Sequence, residues 1–293
     1  MIRGTRCSEF FVRKNSEYFT AKDIFNKDGI LLLGKGQKLS LKSLEKLEKH
    51  GISDLYEFSD RYDEQNQDPF LEKKQRQKFE KSLNEFKERI EVRNNNILVK
   101  PVKVLNFLIF ESRKELWWIY VRSLCNYVGR LYTHSLDVAM LSMMMAVEMG
   151  YDEQKLYNVG LGAFLHDIGK LLVPKSILEK PGDLSEIEAA CVRQHCELGK
   201  SSLQGFNFPK DITDIVLQHH ERLDGSGYPD VLKDNEISFD AKIVMIADTF
   251  DILTSYLPCK KPDNISTAFI KLKVEKEKYS QELISVLGSL LVF

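Results

Sequence analysis

Hydrophobic positions recur every three to four residues along residues 101–293 of this chain. A spacing near 3.6 residues places apolar side chains on one face of a helix, whereas a half-buried strand alternates at every second residue. No stretch of this region has a convincing strand pattern. The clearest helical segments cover 131–150, 153–169, 184–204, 210–220 and 239–256. Residues 101–293 are therefore expected to form an all-helical bundle.

The first 58 residues have a mixed pattern. Strands are predicted at 17–25 and 29–33, joined by the turn-forming sequence NKDG. A helix is predicted over 40–50 and a further strand over 52–58. Residues 1–58 are thus expected to form a small N-terminal α/β module that senses a signal or binds a partner.

A polar segment, 59–100, connects these two regions and begins with a loop composition at 63–69. Its remainder has an apolar stripe at helical spacing, formed by Phe79, Leu83, Phe86 and Ile90. Because the stripe lasts barely two heptads, a helix that packs on a neighbour is favoured over a signalling coiled coil. The segment is predicted to be a linker followed by a connector helix.

Charge and cysteine content exclude several classes of protein. The chain has 42 basic and 43 acidic residues, so no net positive charge favours binding to a nucleic-acid polymer. Its five cysteines have no paired spacing and are interpreted as reduced thiols of a cytoplasmic protein. The N-terminus lacks a signal-peptide core, and the longest apolar run, 138–149, is too short to cross a bilayer. No membrane segment is expected.

Histidine carries the candidate chemistry. Five of the six histidines form an ordered pattern with two aspartates: His134, His166-Asp167, His195, His219-His220 and Asp248. A single histidine is more often a hydrogen-bonded core or surface residue than a ligand, and His50 is interpreted in that way. Adjacent His-Asp and His-His pairs beside glycine-rich turns are harder to explain as ordinary core or surface residues, because buried polar groups need partners. Neutral imidazole is the commonest metal ligand, so the pattern predicts a site for two divalent ions.

Three motifs give a specific resemblance. Segments 166–185 (HDIGKLLVPKSILEKPGDLS), 219–229 (HHERLDGSGYP) and 246–255 (IADTFDILTS) resemble the HD-GYP domain, a subgroup of the HD metal-dependent phosphohydrolases. A His-Asp pair alone is a weak signal, whereas these motifs in this order are specific. The resemblance covers roughly residues 101–293 and implies a mainly α fold, an HD-type helical bundle.

The resemblance implies a two-metal site that holds iron or, alternatively, manganese. The family positions that hold the first ion match His134, His166, Asp167 and Asp248. Those that hold the second ion match His195, His219 and His220, with Asp167 bridging the two ions. The family's catalytic positions match Asp167 and Lys170.

The resemblance also implies roles for residues around the ligands. The positions expected to contact the substrate are Lys170, Lys260, Gly227 and Tyr228. Glu221 and Asp224 are expected to lie behind the ligands and to orient imidazoles.

The chain departs from the family pattern at the edges of the site. Trimetallic members have an acidic ligand one helical turn before the first histidine, where this chain has Arg130, so a third ion is not expected. After the last aspartate, Leu257 and Cys259 stand where the family usually has arginine and tyrosine, while Lys260 keeps a positive charge. A guanidinium binds phosphate with paired hydrogen bonds, so its loss predicts slow or weakly binding turnover.

The resemblance implies a cyclic di-GMP phosphodiesterase with a bimetallic His/Asp site. One alternative is a degenerate HD-GYP signalling adaptor that binds cyclic di-GMP or a diguanylate cyclase (GGDEF) protein without turnover. Another is an HD phosphohydrolase that acts on mononucleotides. A cyclase partner would be expected to bind at the loop 224–229.

Overall fold

The computed structural model describes residues 11–14, 17–20, 24–25, 31–34, 69–126, 130–256 and 261–293. The helix predicted at 40–50 and the strand predicted at 52–58 lie outside these ranges, as do Leu257, Cys259 and Lys260. Within the described ranges, four short β-strands precede twelve α-helices. The described chain is therefore mainly helical, as the hydrophobic periodicity predicts.

The N-terminal strands form two separate antiparallel sheets. β1 (Phe11–Lys14) pairs with β2 (Glu17–Thr20), and β3 (Ile24–Phe25) pairs with β4 (Leu31–Leu33). The prediction of one strand over 17–25 is wrong, because its two halves have different hydrogen-bonding partners. The predicted pairing of this segment with the strand at β4 is confirmed for β3 alone.

The helices after the strands, in chain order, are α1 (Pro69–Arg89), α2 (Val99–Asn106), α3 (Trp118–Asn126), α4 (Leu131–Glu148), α5 (Glu153–Leu165), α6 (Lys175–Leu178), α7 (Glu186–Arg193), α8 (His195–Leu203), α9 (Lys210–Gln218), α10 (Phe239–Thr254), α11 (Ile265–Val274) and α12 (Gln281–Leu290). A 3-10 turn (Ile168–Leu172) follows α5. In the described part of the chain, no helix is both long enough and apolar enough to cross a membrane.

Helix α4 is the centre of the bundle. Nearly every side chain from Leu131 to Ala146 is buried, which is the pattern of a helix surrounded by other helices. It packs against α5 and α10 and also contacts α1, α2 and α12. The three consecutive methionines, Met143 to Met145, are fully buried and fill core space as expected for flexible apolar side chains.

Helix α1 is the predicted connector helix, and its apolar stripe faces the bundle. Phe79, Leu83, Phe86 and Ile90 are all buried. The helix ends at Arg89, and Asn94 then caps a short 3-10 turn by accepting a hydrogen bond from the Asn96 backbone. The connector is thus packed against the same core as the helices that follow it.

Two helical segments are divided more finely than the periodicity predicts. The segment 184–204 forms α7 and α8, which meet at Gln194, and the capping box of Ser185 and Glu188 begins α7 as predicted. The segment 153–169 forms α5 and the start of the 3-10 turn. Close packing explains the tight turn: a Cβ on Gly169 would lie 1.9 Å from the carbonyl oxygen of His195.

Candidate metal centre

Seven polar side chains meet inside the bundle, and helix ends position most of them. They are His134 in the first turn of α4, His166 and Asp167 directly after α5, His195 at the start of α8, His219 and His220 directly after α9, and Asp248 within α10. Six are buried and His220 is half-buried. Neighbouring residues of a helix point about 100° apart, so the ends of α5 and α9 let adjacent side chains face one site.

The seven side chains form two neighbouring groups. Asp167, His195, His219 and His220 form one group, and His134, His166 and Asp248 form the other; within each group the candidate ligand atoms lie within 4.8 Å of one another.

Asp167 lies between the groups and faces both of them. Its Oδ1 is 3.2 Å from Nε2 of His195, and its Oδ2 is 3.3 Å from Nε2 of His166. The Oδ2 atom is also 3.5 Å from Nε2 of His134. A single carboxylate therefore reaches both groups, one through each oxygen.

Hydrogen bonds at the outer nitrogens fix the orientation of three imidazoles. The Nδ1 atoms of His166, His195 and His219 donate to the carbonyl oxygens of Ala163 at 2.7 Å, Val192 at 2.6 Å and Val216 at 3.0 Å. A carbonyl oxygen only accepts hydrogen bonds, so each Nδ1 carries a proton. In the neutral ring, Nε2 then has a lone pair. Three lone pairs thus point toward the carboxylate of Asp167.

The interior of the site contains polar atoms that have no hydrogen-bond partner among the described residues. They are Nε2 of His166, Oδ1 of Asp167 and Oδ2 of Asp248. Burying such acceptors without a donor is costly, and a cation is the partner that suits nitrogen lone pairs and carboxylate oxygens together. The donor set therefore fits divalent metal ions.

Electrostatics in the site also favour positive charge. Burial opposes ionisation of Asp167, but the imidazolium of His166, when that ring is protonated, and the charge of Lys170 outweigh burial and hold the pKa of this carboxyl well below its usual range. Burial opposes a charged His134 as well, yet hydrogen bonds to Asp248 and Asp251 raise its pKa to about 9. By contrast, burial keeps the pKa of His219 well below its usual range, so that imidazole stays neutral.

Comparison with known proteins identifies the family. A family model described as HD domain matches residues 119–283, more than half of the chain. This chain belongs to the HD domain family. Both groups of candidate ligands lie inside the matched segment, whereas α1 precedes it.

The similar proteins are named cyclic-dinucleotide phosphodiesterases, which confirms the expected resemblance to HD-GYP proteins. A cyclic di-GMP phosphodiesterase of Thermotoga maritima is 35% identical over 203 residues, which are 64% of this chain and 55% of that protein. The 3'3'-cGAMP-specific phosphodiesterase 1 of Vibrio cholerae is 39% identical over 127 residues, 43% of this chain and 30% of that protein. The matched region thus spans about half or less of these relatives.

A solved structure, Bd1817, a HDG"Y"P protein from Bdellovibrio bacteriovorus, has a TM-score of 0.49 and 19% sequence identity to this HD domain chain. The comparison covers 98% of this chain and 95% of that one.

Lys170 of the HD domain lies beside the shared carboxylate. Its Nζ is 2.6 Å from Oδ2 of Asp167, three residues earlier in the chain, and 22% of its side chain is exposed. Burial would lower the pKa of Lys170, but the charge of Asp167 outweighs burial and raises it. The ammonium is therefore charged, and it lies at the edge of the candidate metal centre.

The glycine-rich loop after α9 packs one aromatic ring against the site. The ring of Tyr228 stacks on His220 with centroids 4.8 Å apart. Gly227 allows this because a Cβ there would lie 2.3 Å from Cα of Glu221, where no side chain fits. Gly227 and Tyr228 thus form one wall of the site, beside a candidate ligand.

The carboxylates expected to orient imidazoles have a different role. Glu221 is fully buried, and its Oε1 and Oε2 accept hydrogen bonds from the backbone amides of Asp230 at 2.7 Å and Leu232 at 3.0 Å. Asp224 is exposed and accepts from the amide and hydroxyl of Ser226. Through these hydrogen bonds both side chains hold the loop backbone, and among the described contacts neither pairs with an imidazole.

Asp251 lies behind the candidate ligands, and the sequence interpretation missed it. It is fully buried, and its Oδ2 accepts a hydrogen bond from Nδ1 of His134 at 2.7 Å. Arg130, one helical turn before His134, donates to the same oxygen at 2.6 Å. The three-residue spacing of Asp248 and Asp251 on one helix face is the signal that could have found it.

Proposed function

We propose that this HD domain protein is a metal-dependent cyclic di-GMP phosphodiesterase. The observation that carries the proposal is the position of Asp167, whose two oxygens face two separate groups of buried imidazoles. The names of the relatives supply the substrate class, because they act on cyclic dinucleotides.

The proposed ligand sets follow the two groups of the structure. His134, His166 and Asp248 would hold one ion, His195, His219 and His220 would hold the other, and Asp167 would contact both. Iron is the proposed metal, with manganese as the alternative, since imidazoles suit iron and carboxylates add affinity for manganese. Bound there, two divalent ions supply Lewis acidity, which withdraws charge from phosphate oxygens and makes water more acidic.

The residues of the chain prepare the site for a phosphodiester. Lys170 keeps a positive charge beside Asp167, where its partly exposed ammonium can turn to a phosphate oxygen. His166, Asp167, His195 and His219 are fully buried, which excludes bulk water and strengthens every charge interaction at the reacting bond. Lys260 is proposed as a further phosphate contact on the resemblance alone.

The loop and the N-terminal segment are proposed to serve regulation. Asp224 and Ser226 are exposed on the loop 224–229, and we propose that this loop contacts a diguanylate cyclase (GGDEF) protein. Residues 1–58 are proposed to form a separate sensory or partner-binding module, because all proposed ligands lie between His134 and Asp248. Residues 59–100 would then connect this module to the HD domain at 101–293.

A substrate panel tests the proposed function. The full chain, purified with Fe²⁺ or Mn²⁺, is incubated with cyclic di-GMP, 3'3'-cGAMP and mononucleotides, and the products are separated by chromatography. Hydrolysis of cyclic di-GMP is expected, and it should disappear on chelation and in His166→Ala. His50→Ala is the matched control, because His50 lies outside the ligand pattern. Binding of cyclic di-GMP without any product would favour the signalling adaptor instead.

A further inference from the structure

Arg89 is a partly buried arginine that reaches the back of the candidate metal centre from a helix that precedes the HD domain. It is the last residue of α1, and only 20% of its side chain is exposed. Its Nη2 lies 2.6 Å from Oδ2 of Asp137 and 2.6 Å from Oδ1 of Asp251. Its Nη1 donates to the hydroxyl of Thr254 at 2.9 Å. The guanidinium thus joins α1 to both central helices, α4 and α10.

Asp251 is held from two sides by arginines. Arg89 binds its Oδ1, and Arg130 binds its Oδ2. The hydroxyl of Ser255 adds a hydrogen bond to Oδ1 at 3.1 Å. A fully buried carboxylate needs such compensation, and the two guanidiniums fix the plane in which its oxygens lie.

The orientation of Asp251 determines that of His134. Because Nδ1 of His134 donates to Asp251, Nε2 is the nitrogen that faces the site, 3.1 Å from Oδ1 of Asp248, and it offers a lone pair there once a cation displaces its proton. A carboxylate behind a ligating histidine sets both its tautomer and its ring plane. Arg89 therefore reaches His134 through one intermediate residue.

Helix α1 touches α4 at a second point on the same side. Nζ of Lys78 lies 4.5 Å from the ring centroid of Tyr132, two residues before His134, whereas Arg89 contacts Asp137, three residues after it. The contacts lie on either side of His134 along α4. A displacement of α1 would therefore remove the guanidinium from Asp251.

We propose that Arg89 is a positioning residue for the ion that His134, His166 and Asp248 would hold. Through Arg89, helix α1 would support the candidate metal centre. This inference rests on the proposed function, because it requires an ion in that group. It makes the placement of α1, which follows residues 1–68 in the chain, a determinant of metal affinity. The residue acts through Asp251 and touches neither metal nor substrate.

The experiment must separate this role from simple charge balance. Arg89→Met leaves Asp137 and Asp251 near each other without their shared cation, so it could merely destabilise the fold. Arg89→Met/Asp137→Asn removes one positive and one negative charge and restores the balance. Arg93→Met is the matched control, because Arg93 donates to the carbonyl of Leu291 at 2.6 Å, away from the ligands.

The measurement is a Mn²⁺ titration of the metal-free full chain, with free Mn²⁺ followed by electron paramagnetic resonance. The wild type and Arg93→Met should each bind two ions, and the affinity for each ion should be the same in the two proteins. In Arg89→Met/Asp137→Asn, thermal stability should return to near wild type, while one ion is bound about tenfold more weakly. The weakened ion should be the one lost in His134→Ala, and the other should be unchanged.

Two results would overturn the role of Arg89. One is a double variant that binds both ions as tightly as the wild type; the other is equal weakening of both ions. A wild type that binds two ions but hydrolyses nothing would count against the proposed phosphodiesterase. Because the role of Arg89 is tested by metal affinity and not by turnover, the comparison of affinities would still support or reject that role.

Discussion

The Nε2 atoms of His195 and His219 lie 3.3 Å apart, at hydrogen-bond distance, although in the neutral rings neither carries a proton to donate. Each ring already donates its Nδ1 proton to a backbone carbonyl. Two lone pairs at this separation repel each other unless a proton or a cation lies within reach of both. The relationship explains why the site is suited to a metal ion rather than to a network of neutral hydrogen bonds.

Replacing the shared carboxylate should affect both groups. In Asp167→Asn, a neutral amide with a single oxygen replaces the carboxylate whose two oxygens face His195 and His166, so a protein purified with Mn²⁺ should hold far less than two ions per chain. His195→Gln should lose the ion of its own group alone. Elemental analysis checks both variants, and an Asp167→Asn protein with full metal content would contradict the sharing of this carboxylate.

Removal of the charge on Lys170 should weaken substrate binding without loss of metal. Hydrogen bonds to charged groups contribute about 1.5–3 kcal/mol, so the Kd of Lys170→Met for cyclic di-GMP should rise by about ten- to a hundredfold. The metal content should hold, since the ammonium 2.6 Å from Asp167 repels a cation. Calorimetry on the variant checks this, with Lys175→Met as control, because Lys175 is partly exposed and pairs with Glu179. Unchanged affinity would remove Lys170 from the substrate contacts.

A methyl group at Gly169 should separate the 3-10 turn from α8. It would meet backbone atoms, the carbonyl oxygen of His195 at 1.9 Å and the amide nitrogen of Gly199 at 2.7 Å, which cannot rotate away. Gly169→Ala should therefore lower the unfolding temperature and weaken the ion bound beside His195. Gly160→Ala, whose methyl would mainly meet the flexible side chain of Met143, should cost less. Equal melting temperatures for the two variants would contradict this packing.

An arginine at position 257 should restore phosphate recognition. Leu257 lies outside the described residues, so this expectation rests on the resemblance, in which the matching residue is an arginine. Leu257→Arg should tighten cyclic di-GMP binding by about one to two powers of ten, because a guanidinium forms paired hydrogen bonds with phosphate. Affinity and turnover both unchanged, together with brisk hydrolysis by the wild type, would show that this position does not face the phosphate.

The sequence predicts the parts of the fold that depend on local pattern. The apolar stripe of α1, the burial of α4 and the capping box at Ser185 follow from spacing and from residue type. The seven candidate ligands also converge as expected, since His-Asp and His-His pairs lie at helix ends that face one site.

Long-range contacts explain what the sequence could not predict. Arg89 and Asp251 are 162 residues apart, and nothing in the pattern of α1 marks one arginine among many charged residues as the one that pairs with a buried carboxylate. The partners of Glu221 depend in a similar way on how the loop folds back over it. Such contacts depend on tertiary packing, which hydrophobic periodicity does not report.

The central claim is that two ions act together in one site, and the dependence of turnover on metal occupancy tests it most directly. Metal-free protein is titrated with Mn²⁺, and the rate of cyclic di-GMP hydrolysis is measured at each ratio of metal to protein. The rate should stay low at one equivalent, rise steeply toward two equivalents and then level off. Full activity at one equivalent, or no hydrolysis at any occupancy, would contradict the account.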